Sequence, residues 1–239
     1  MTTAQLGPPD VELALRQHER YQAALESCGL RVVVLDADPQ HPDSTFVEDT
    51  AVLVAGTAIL TVPGASSRQG EVALIRPIIE HNFSTLRQIR LPGTVDGGDI
   101  CEAGSHYYIG VSSRTNEEGA EQLAALLAVE GFTSSTVDVR GLDGILHLKS
   151  GVAYLGDGRF VAIESIAALP PFRQESCVVV DASEMYAANC VRVNDAVLIA
   201  DGYPALRRAL DSNGYRTIAL DVSEFRKMDG GLSCLSLRF

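Results

Sequence analysis

A hairpin pattern recurs along this chain, and its spacing limits the possible folds more than any other feature of the sequence. In each copy, two short apolar runs typical of β-strands flank a turn rich in glycine, aspartate or asparagine. A polar or reactive residue precedes the first run of each copy, and a fifth such residue lies at the start of a further predicted strand near the C-terminus. These residues are Asp49, Asp99, His147, Asn189 and Cys234, separated by 50, 48, 42 and 45 positions. A period within about 20–50 residues is typical of repeat proteins.

Helical and extended segments complete the repeats. The predicted helices cover residues 10–28, 67–80 and 204–212 and the segment between Asn116 and Gly131. A strand is predicted at residues 30–35. Five ββαβ-type repeats closing into a ring would form a five-fold pseudosymmetric α/β propeller, as a single domain over residues 1–239. The alternative is an ordinary α/β sheet in which the spacing is a coincidence.

The overall charge bears on the kind of partner. The chain has 19 basic and 31 acidic residues, a formal net charge of -12. Such a surface repels phosphate backbones, so we expect no nucleic acid partner. It is compatible with a cationic substrate, although solubility is the commoner reason for an acidic surface. No apolar run approaches the ~18 residues of a membrane helix, and residues 1–9 lack a secretory signal pattern. We therefore expect a soluble, cytoplasmic protein with no membrane partner.

The cysteines do not form a recognisable cage or disulfide framework. Their number is odd and no pair has the C-x-x-C spacing. Cys28, Cys101 and Cys177 are best interpreted as plain buried thiols. Cys234 follows two glycines that permit a close approach of the backbone to a ligand, although a buried thiol of a strand is the alternative.

One histidine and several acids could complete a reactive site with a cysteine. The unperturbed pKa of an imidazole lies near physiological pH, which suits His147 for proton transfer, although a lone histidine is more often a hydrogen-bonded core residue. Adjacent acids occur in Phe46-Val47-Glu48-Asp49-Thr50, and Val95-Asp96-Gly97-Gly98-Asp99 repeats the theme. Buried carboxylates need cations or donors, but either pair could simply cap a turn. In a closed ring, equivalent positions of the repeats would converge near one axis.

A set of motifs in a fixed order links the chain to a known family. The segments FVEDTAV, PGASSR, DGGD, SRTNEEGAE, LHLKS, AANC and DGGLSCLSLRF occur in this order. They closely resemble those of the dimethylarginine dimethylaminohydrolases, within the guanidino-modifying (amidinotransferase or pentein) superfamily. The resemblance covers residues 42–239. It implies the five-unit propeller and hydrolysis of Nω-methylated arginines, such as dimethylarginine and monomethylarginine, to citrulline and methylamines.

The resemblance also assigns a role to individual residues. It implies that Cys234 attacks the guanidinium carbon to form a thiouronium, that His147 protonates the leaving amine and activates water, and that Asp96 orients His147. It implies a substrate pocket in which acids pair with the guanidinium, two arginines hold the α-carboxylate and two backbone carbonyls hold the α-amino group. These residues are Asp43, Glu48 and Asp49, then Arg68 and Arg114, then Met228 and Leu6. No metal or organic cofactor is implied, and a homodimer is compatible with the sequence.

The N-terminal segment departs from the family pattern. Family members usually begin with a further β-strand before the first helix, so we expect an incomplete first repeat unless the true start lies upstream. Such a ring would expose a β edge and lose stability or self-associate.

Other functions stay open at this point. Within the superfamily, an arginine deiminase or another guanidino-hydrolase is the nearest alternative, because pocket size decides between methylated and free arginine. An agmatine deiminase would leave Arg68 and Arg114 without a carboxylate to bind. A non-catalytic propeller that binds a partner would not need Cys234, His147 and Asp96 together.

Overall fold

The computed structural model describes residues 4–239, which form two compact units. The first unit comprises the described residues up to Asp36 together with Ser150–Ser233, and the second comprises Ala37–Lys149 together with Cys234–Phe239. Among residues 4–239, no helix combines the length and the apolar character that crossing a bilayer requires.

Side-chain caps mark the start of two of the helices. The helices are α1 (Val11–Ser27), α2 (Glu71–Asn82), α3 (Glu117–Val129), α4 (Glu164–Ala167), α5 (Pro204–Ser212) and α6 (Ser223–Arg226). Asp10 caps α1 by accepting a hydrogen bond from the amide of Leu13 at 3.0 Å, and Asn116 caps α3 by accepting one from the amide of Gly119 at 2.8 Å. These helices, and α5, lie within one residue of their predicted bounds or where their capping residue predicts them.

The strands are short and fall into sheets of three. They are β1 (Ala51–Val54), β2 (Thr57–Leu60), β3 (Thr85–Gln88), β4 (Ile100–Ala103), β5 (His106–Val111), β6 (Thr133–Asp138), β7 (Val152–Gly156), β8 (Arg159–Ile163), β9 (Ser176–Val180), β10 (Val191–Val193), β11 (Ala196–Ala200) and β12 (Arg216–Leu220). The sheet orders are β1-β2-β3 and β4-β5-β6 in the second unit, and β7-β8-β9 and β10-β11-β12 in the first.

Each sheet repeats one connection pattern. The first two strands form an antiparallel hairpin, and the third strand pairs with the second in parallel. A parallel pair needs a crossover connection, which α2, α3, α4 and α5 supply in turn. The predicted ββαβ repeat is therefore confirmed for these four sheets.

The turn of the first hairpin carries backbone strain. Ala55 has a φ of 41° and Gly56 a φ of 86°, so both lie in the left-handed region that two-residue hairpin turns require. Glycine adopts this region at no steric cost, whereas an alanine side chain does not. The corresponding turn between β10 and β11 has Asn194, a residue that tolerates the region well, with a φ of 52°.

Two predicted strands are wrong. Residues 30–35 form no strand, and their side chains at Val33 and Val34 are 55% and 57% exposed. Cys234 lies in a 3₁₀ turn (Ser233–Leu235), and no regular element follows it. A β-branched apolar run becomes a strand only where a neighbouring strand offers a hydrogen-bonding edge, and none of the sheets found in residues 4–239 includes either segment.

The second predicted helix differs in its start and its interior. It begins at Glu71 rather than at residue 67, because Ser66–Arg68 forms a separate 3₁₀ turn. Pro77 lies inside α2, which continues two residues beyond its predicted end, to Asn82.

An apolar cluster under α3 holds the second unit together. Leu123 and Leu127 of α3, both fully buried, share this cluster with Ile59 of β2 and Ile109 of β5. Burying a leucine or isoleucine side chain contributes about 1.5–3 kcal/mol. The two sheets of the second unit therefore share one apolar core with α3.

Candidate active site

Short 3₁₀ turns place the reactive residues that the repeat pattern singled out. The turns are Val47–Thr50, Gly97–Asp99, Leu148–Ser150 and Ser233–Leu235. Asp49 and Asp99 lie within the first two, His147 directly precedes the third, and Cys234 is the middle residue of the last. The first two turns lead directly into the first strand of a hairpin. One residue separates the third turn from the first strand of its hairpin. Asp49, Asp99, His147 and Cys234 all belong to the second unit, which residues 234–239 complete.

His147 and Asp96 form a buried pair. Nε2 of His147 lies 3.0 Å from Oδ2 of Asp96, and the two residues are 7% and 1% exposed. Asp96 is held in place, since its Oδ1 accepts a hydrogen bond from the amide of Gly64 at 2.8 Å and its amide donates to Oγ1 of Thr115 at 3.0 Å. A carboxylate fixed in this way fixes the orientation of the imidazole in turn.

The surrounding charges favour the protonated form of His147. Burial alone would lower the pKa of His147, but the negative charges of Asp49 and Asp99 and the hydrogen bond to Asp96 outweigh it. Together they raise that pKa from 6.5 to about 9. At neutral pH the side chain is therefore an imidazolium, which can donate a proton.

Asp49 lies between a cation and a backbone donor. Its Oδ1 accepts a hydrogen bond from the amide of Gly98 at 2.8 Å, and its Oδ2 lies 2.5 Å from Nη1 of Arg68. Burial works to raise the pKa of Asp49, yet the charges of His147 and Arg68 hold it below its usual value. Asp49 is therefore an ionised carboxylate in a buried position.

Arg68 is a buried cation rather than a surface arginine. It is 7% exposed, and its Nε and Nη2 donate to the carboxylate of Glu71 at distances of 2.7–3.1 Å. Nη2 also donates to the backbone oxygen of Phe46 at 2.9 Å. Burial opposes the charged form, but the hydrogen bonds to Glu71 and the charge of Asp49 raise the pKa of Arg68 further. These contacts leave one N–H, on Nη1, for a ligand.

Glu48 is paired with a lysine. Its Oε1 lies 2.6 Å from Nζ of Lys149 and 3.6 Å from Nη2 of Arg238, and Glu48 is 4% exposed. Asp43, in the 3₁₀ turn Pro42–Thr45, is exposed. Burial raises the pKa of Glu71, and the negative charge of Asp43 adds to this effect. Acids outnumber cations around the site, so its field favours a positively charged ligand.

Two glycines allow these groups to approach one another. A side chain at Gly98 would place its Cβ 2.7 Å from Nδ1 of His147 and 2.9 Å from Oδ1 of Asp49. A side chain at Gly97 would collide with the backbone oxygen of Glu48. The DGGD segment therefore needs glycine at both central positions.

Arg114 has a fixed backbone and an unpaired side chain. Its amide donates to Oγ of Ser112 at 2.9 Å, and its carbonyl accepts from Oγ1 of Thr94 at 2.8 Å. The residue is half-buried, and its guanidinium makes no ion pair or hydrogen bond with any residue from 4 to 239. Arg114 thus differs from Arg68, whose charge is already neutralised.

The remaining predicted residues lie at the ends of the first unit. Leu6 is 50% exposed, and Met228 is half-buried. Their segments are neighbours, because the amide of Ala4 donates to Oδ1 of Asp229 at 2.7 Å. Within the same unit, Oδ1 of Asn189 accepts from the amide of Ser233 at 2.9 Å.

One group of side chains has the spacing that a cation could use. Among the described residues, Asp49, Asp96 and His147 each offer a ligand atom, and these atoms lie within 4.8 Å of one another. The hydrogen bond between His147 and Asp96 and the raised pKa of His147 fit a proton on the imidazole at this place.

Three residues of the site were missed by sequence reasoning. Glu71 and Lys149 form buried ion pairs with Arg68 and Glu48. The signal for Glu71 was its position three residues after Arg68, at a helix start. Gly98 belongs to the DGGD motif. That this position must be glycine becomes evident only from the structure, which shows His147 and Asp49 next to its Cα.

Comparison with known proteins identifies close relatives over the full chain. The model of the family described as eukaryotic N,N dimethylarginine dimethylhydrolase matches residues 10–182. The N(G),N(G)-dimethylarginine dimethylaminohydrolase of Pseudomonas aeruginosa is 42% identical over 240 residues, which cover 100% of this chain and 93% of the relative. The enzyme of the same name from Streptomyces coelicolor is 33% identical over 230 residues, which cover 96% and 87%.

Solved structures give the same result for the fold. A mutant of the Pseudomonas aeruginosa protein complexed with citrulline has a TM-score of 0.96 at 42% identity, covering 100% of this chain and 93% of that one. The N-terminal domain of ArgZ, an arginine dihydrolase of cyanobacteria, shares the fold, with a TM-score of 0.87 at 20% identity over 100% and 91% of the two chains. These matches confirm the predicted fold class and the predicted resemblance. The chain therefore belongs to the dimethylarginine dimethylaminohydrolase family.

Proposed function

We propose that this chain hydrolyses Nω-methylated arginines to citrulline and methylamines through a covalent intermediate on Cys234. The observation that carries the proposal is the buried pair of His147 and Asp96 within a cluster of acids, in the unit that Cys234 also joins. The full-length relatives from Pseudomonas aeruginosa and Streptomyces coelicolor support it through their shared name, and the citrulline complex of the former supports the product.

The guanidinium end of the substrate binds among the acids. Asp49 is an ionised, buried carboxylate, Glu48 precedes it in the same turn, and Asp43 lies in the turn before. Carboxylate–guanidinium hydrogen bonds are charge-assisted and directional, so they can hold the guanidinium carbon at a fixed place for attack. Lys149 neutralises Glu48, whereas Asp49 shares the single charge of Arg68 with Glu71, so Asp49 is the principal anion for the substrate.

The first chemical step is attack by sulfur. The thiolate of Cys234 forms a bond to the guanidinium carbon, and the positive charge of the substrate favours the thiolate over the thiol. The bond from this carbon to the methylated nitrogen then breaks, and that nitrogen takes the proton of His147. The raised pKa of His147 supplies the imidazolium that this step needs. Since Nε2 faces Asp96, Nδ1 is the nitrogen that transfers the proton.

The second step releases the product. His147, now neutral, takes a proton from a water molecule whose oxygen attacks the carbon of the thiouronium. The carbon–sulfur bond breaks, which yields citrulline and restores the thiolate of Cys234 and the imidazolium of His147. Asp96 stabilises the imidazolium in both steps and does not itself need to accept a proton.

The amino acid end binds to groups already in place. Arg114 supplies a guanidinium that has no partner within residues 4–239, which suits the α-carboxylate of the substrate. Arg68 contributes at most its remaining Nη1 hydrogen and chiefly holds Asp49. The assignment of the α-amino group to the backbone carbonyls of Met228 and Leu6 stays a prediction of the sequence. A cytoplasmic location and a homodimer also stay predictions of the sequence.

A substrate panel tests the proposal. Citrulline release is measured from asymmetric dimethylarginine, monomethylarginine and arginine under identical conditions. We expect turnover of both methylated substrates and much slower turnover of arginine. Preference for arginine would favour an arginine deiminase instead, and no turnover of any of the three would refute the enzymatic function.

The nucleophile is tested by covalent labelling. We expect one equivalent of a chloroacetamidine to label the protein, and Cys234→Ser to abolish labelling. Cys177→Ser is the matched control, since Cys177 is also partly exposed but lies on β9 of the first unit. Labelling that persists in Cys234→Ser would show that another residue is the nucleophile.

A further inference from the structure

Asp99 is a buried acid to which the proposed mechanism gives no task. It is 0% exposed and ends the 3₁₀ turn Gly97–Asp99. Its Oδ1 accepts a hydrogen bond from the amide of Leu148 at 2.9 Å, and its Oδ2 accepts one from Oγ of Ser112 at 2.7 Å. Leu148 directly follows His147, so the hydrogen bond to this oxygen of Asp99 fixes the backbone next to the proton donor.

The other oxygen of Asp99 holds the loop of Arg114. Oγ of Ser112 accepts hydrogen bonds from the amides of Arg114 and Thr115, at 2.9 and 3.2 Å. Both lone pairs of this hydroxyl are thus used, so its hydrogen must point to an acceptor. The acceptor is the carboxylate of Asp99. An asparagine in its place could offer only one oxygen to two donors.

A third contact reaches the acid of the catalytic pair. Oγ1 of Thr115 accepts from the amide of Asp96 at 3.0 Å, and the amide of Thr115 donates to the Ser112 hydroxyl that is itself bonded to Asp99. The chain segments that carry His147, Asp96 and Arg114 are therefore all tied to Asp99. These three segments are separated by up to 51 positions along the chain. The connectivity of the chain alone therefore does not fix the distances between them.

We propose that Asp99 is a positioning residue that sets the distance between the proton donor at one end of the substrate and the carboxylate-binding arginine at the other. This inference rests on the proposed function. An arginine-like substrate has a fixed number of bonds between its guanidinium carbon and its α-carboxylate. Productive binding therefore requires the two ends of the site to be held at a fixed distance from each other, and Asp99 is hydrogen-bonded to the segments that form both ends.

The charge of Asp99 gives a second readout. The groups that face His147 are the carboxylates of Asp49, Asp96 and Asp99, and all three favour its protonated form. Removing the charge of Asp99 lowers the pKa of His147, whereas removing the hydroxyl of Ser112 leaves that charge in place. The two variants therefore separate the effect on proton transfer from the effect on the Arg114 loop.

The experiment compares kcat/KM for monomethylarginine with that for methylated agmatine, which lacks the α-carboxylate. In Asp99→Asn we expect this ratio to fall about tenfold, the effect of one weakened hydrogen bond to a charged group. The alkaline limb of the pH profile of kcat should also move to lower pH. In Ser112→Ala we expect the ratio to fall while the alkaline limb stays in place.

Glu184→Gln is the matched control for the loss of a buried carboxylate. Glu184 is 8% exposed and accepts hydrogen bonds from the amides of Ala205 and Leu206 at 2.9 and 2.8 Å, at the start of α5. Glu184→Gln should lower the free energy of unfolding without changing the ratio of the two kcat/KM values or the pH profile of kcat.

The outcomes are distinguishable. A folded Asp99→Asn that keeps both the ratio and the alkaline limb overturns the inference, and so does an equal loss for both substrates. If Asp99→Asn does not fold, Ser112→Ala decides by the ratio alone. A wild-type chain that turns over neither substrate overturns the proposed function and this inference with it.

Discussion

The proton on His147 links the pH to the stability of the fold. In the unfolded chain the imidazole has a pKa near 6.5, whereas in the folded chain the pKa is about 9. A difference of this size corresponds to about 3 kcal/mol of differential stabilisation of the imidazolium. Because the folded-state pKa is the higher one, this contribution is fully present below pH 6.5. It is lost as the pH rises through 9.

The measurement is urea unfolding of the wild type and of His147→Gln at several pH values from 6 to 10. The chain has no tryptophan, so far-ultraviolet circular dichroism is the suitable probe. Subtracting the free energy of unfolding of the variant from that of the wild type cancels the titration of most other groups. We expect this difference to shrink by about 3 kcal/mol between pH 6 and pH 10.

A control histidine separates this effect from a general response to pH. His81 lies exposed near the end of α2, so His81→Gln should unfold like the wild type over the same range. A difference between the wild type and His147→Gln that stays constant from pH 6 to pH 10 would refute the reasoning, because the three carboxylates would then not retain the proton.

Three further substitutions test the packing of the site and of the first hairpin. Glu71→Gln removes the main counter-charge of buried Arg68 and should lower the free energy of unfolding by about 3 kcal/mol in urea titrations. Gly98→Ala displaces the ring of His147 and should reduce kcat about 100-fold, measured by citrulline release with circular dichroism as a check on folding. Ala55→Asn places at this positive φ a residue that tolerates it, so it should relieve the backbone strain and raise the free energy of unfolding by about 1 kcal/mol. An unchanged free energy of unfolding would show that the turn is not strained.

The sequence allowed the repeat to be recognised because its signals are local. A hairpin needs two apolar runs and a turn residue, and a helix start needs one capping residue, so Asn116 and the turn before Ala196 could be identified without a structure. The periodic placement of polar residues before the hairpins then pointed to Asp49 and His147. Both lie in the second unit, and their place in one shared site stays a prediction.

The environment of Arg68 could not be predicted in the same way. Its neighbours in the sequence are small or polar, which is typical of a surface turn. Its burial depends on Asp49, 19 residues earlier, and on the backbone of Phe46, and neither contact leaves a periodic signal. The strand predicted at residues 30–35 failed for a related reason, since pairing depends on a partner that the segment itself does not specify.

The discontinuity of the second unit has a consequence for synthesis on the ribosome. Residues 37–149 are complete 85 positions before Cys234 is added, because residues 150–233 belong to the first unit. At a synthesis rate of about 5–20 residues per second, that interval lasts roughly 4–17 s. A nascent chain can therefore fold the part that carries His147 and its acids while the thiol is still missing. The last six residues bring the sulfur to the unit, so a partly made chain holds no assembled pair of nucleophile and acid.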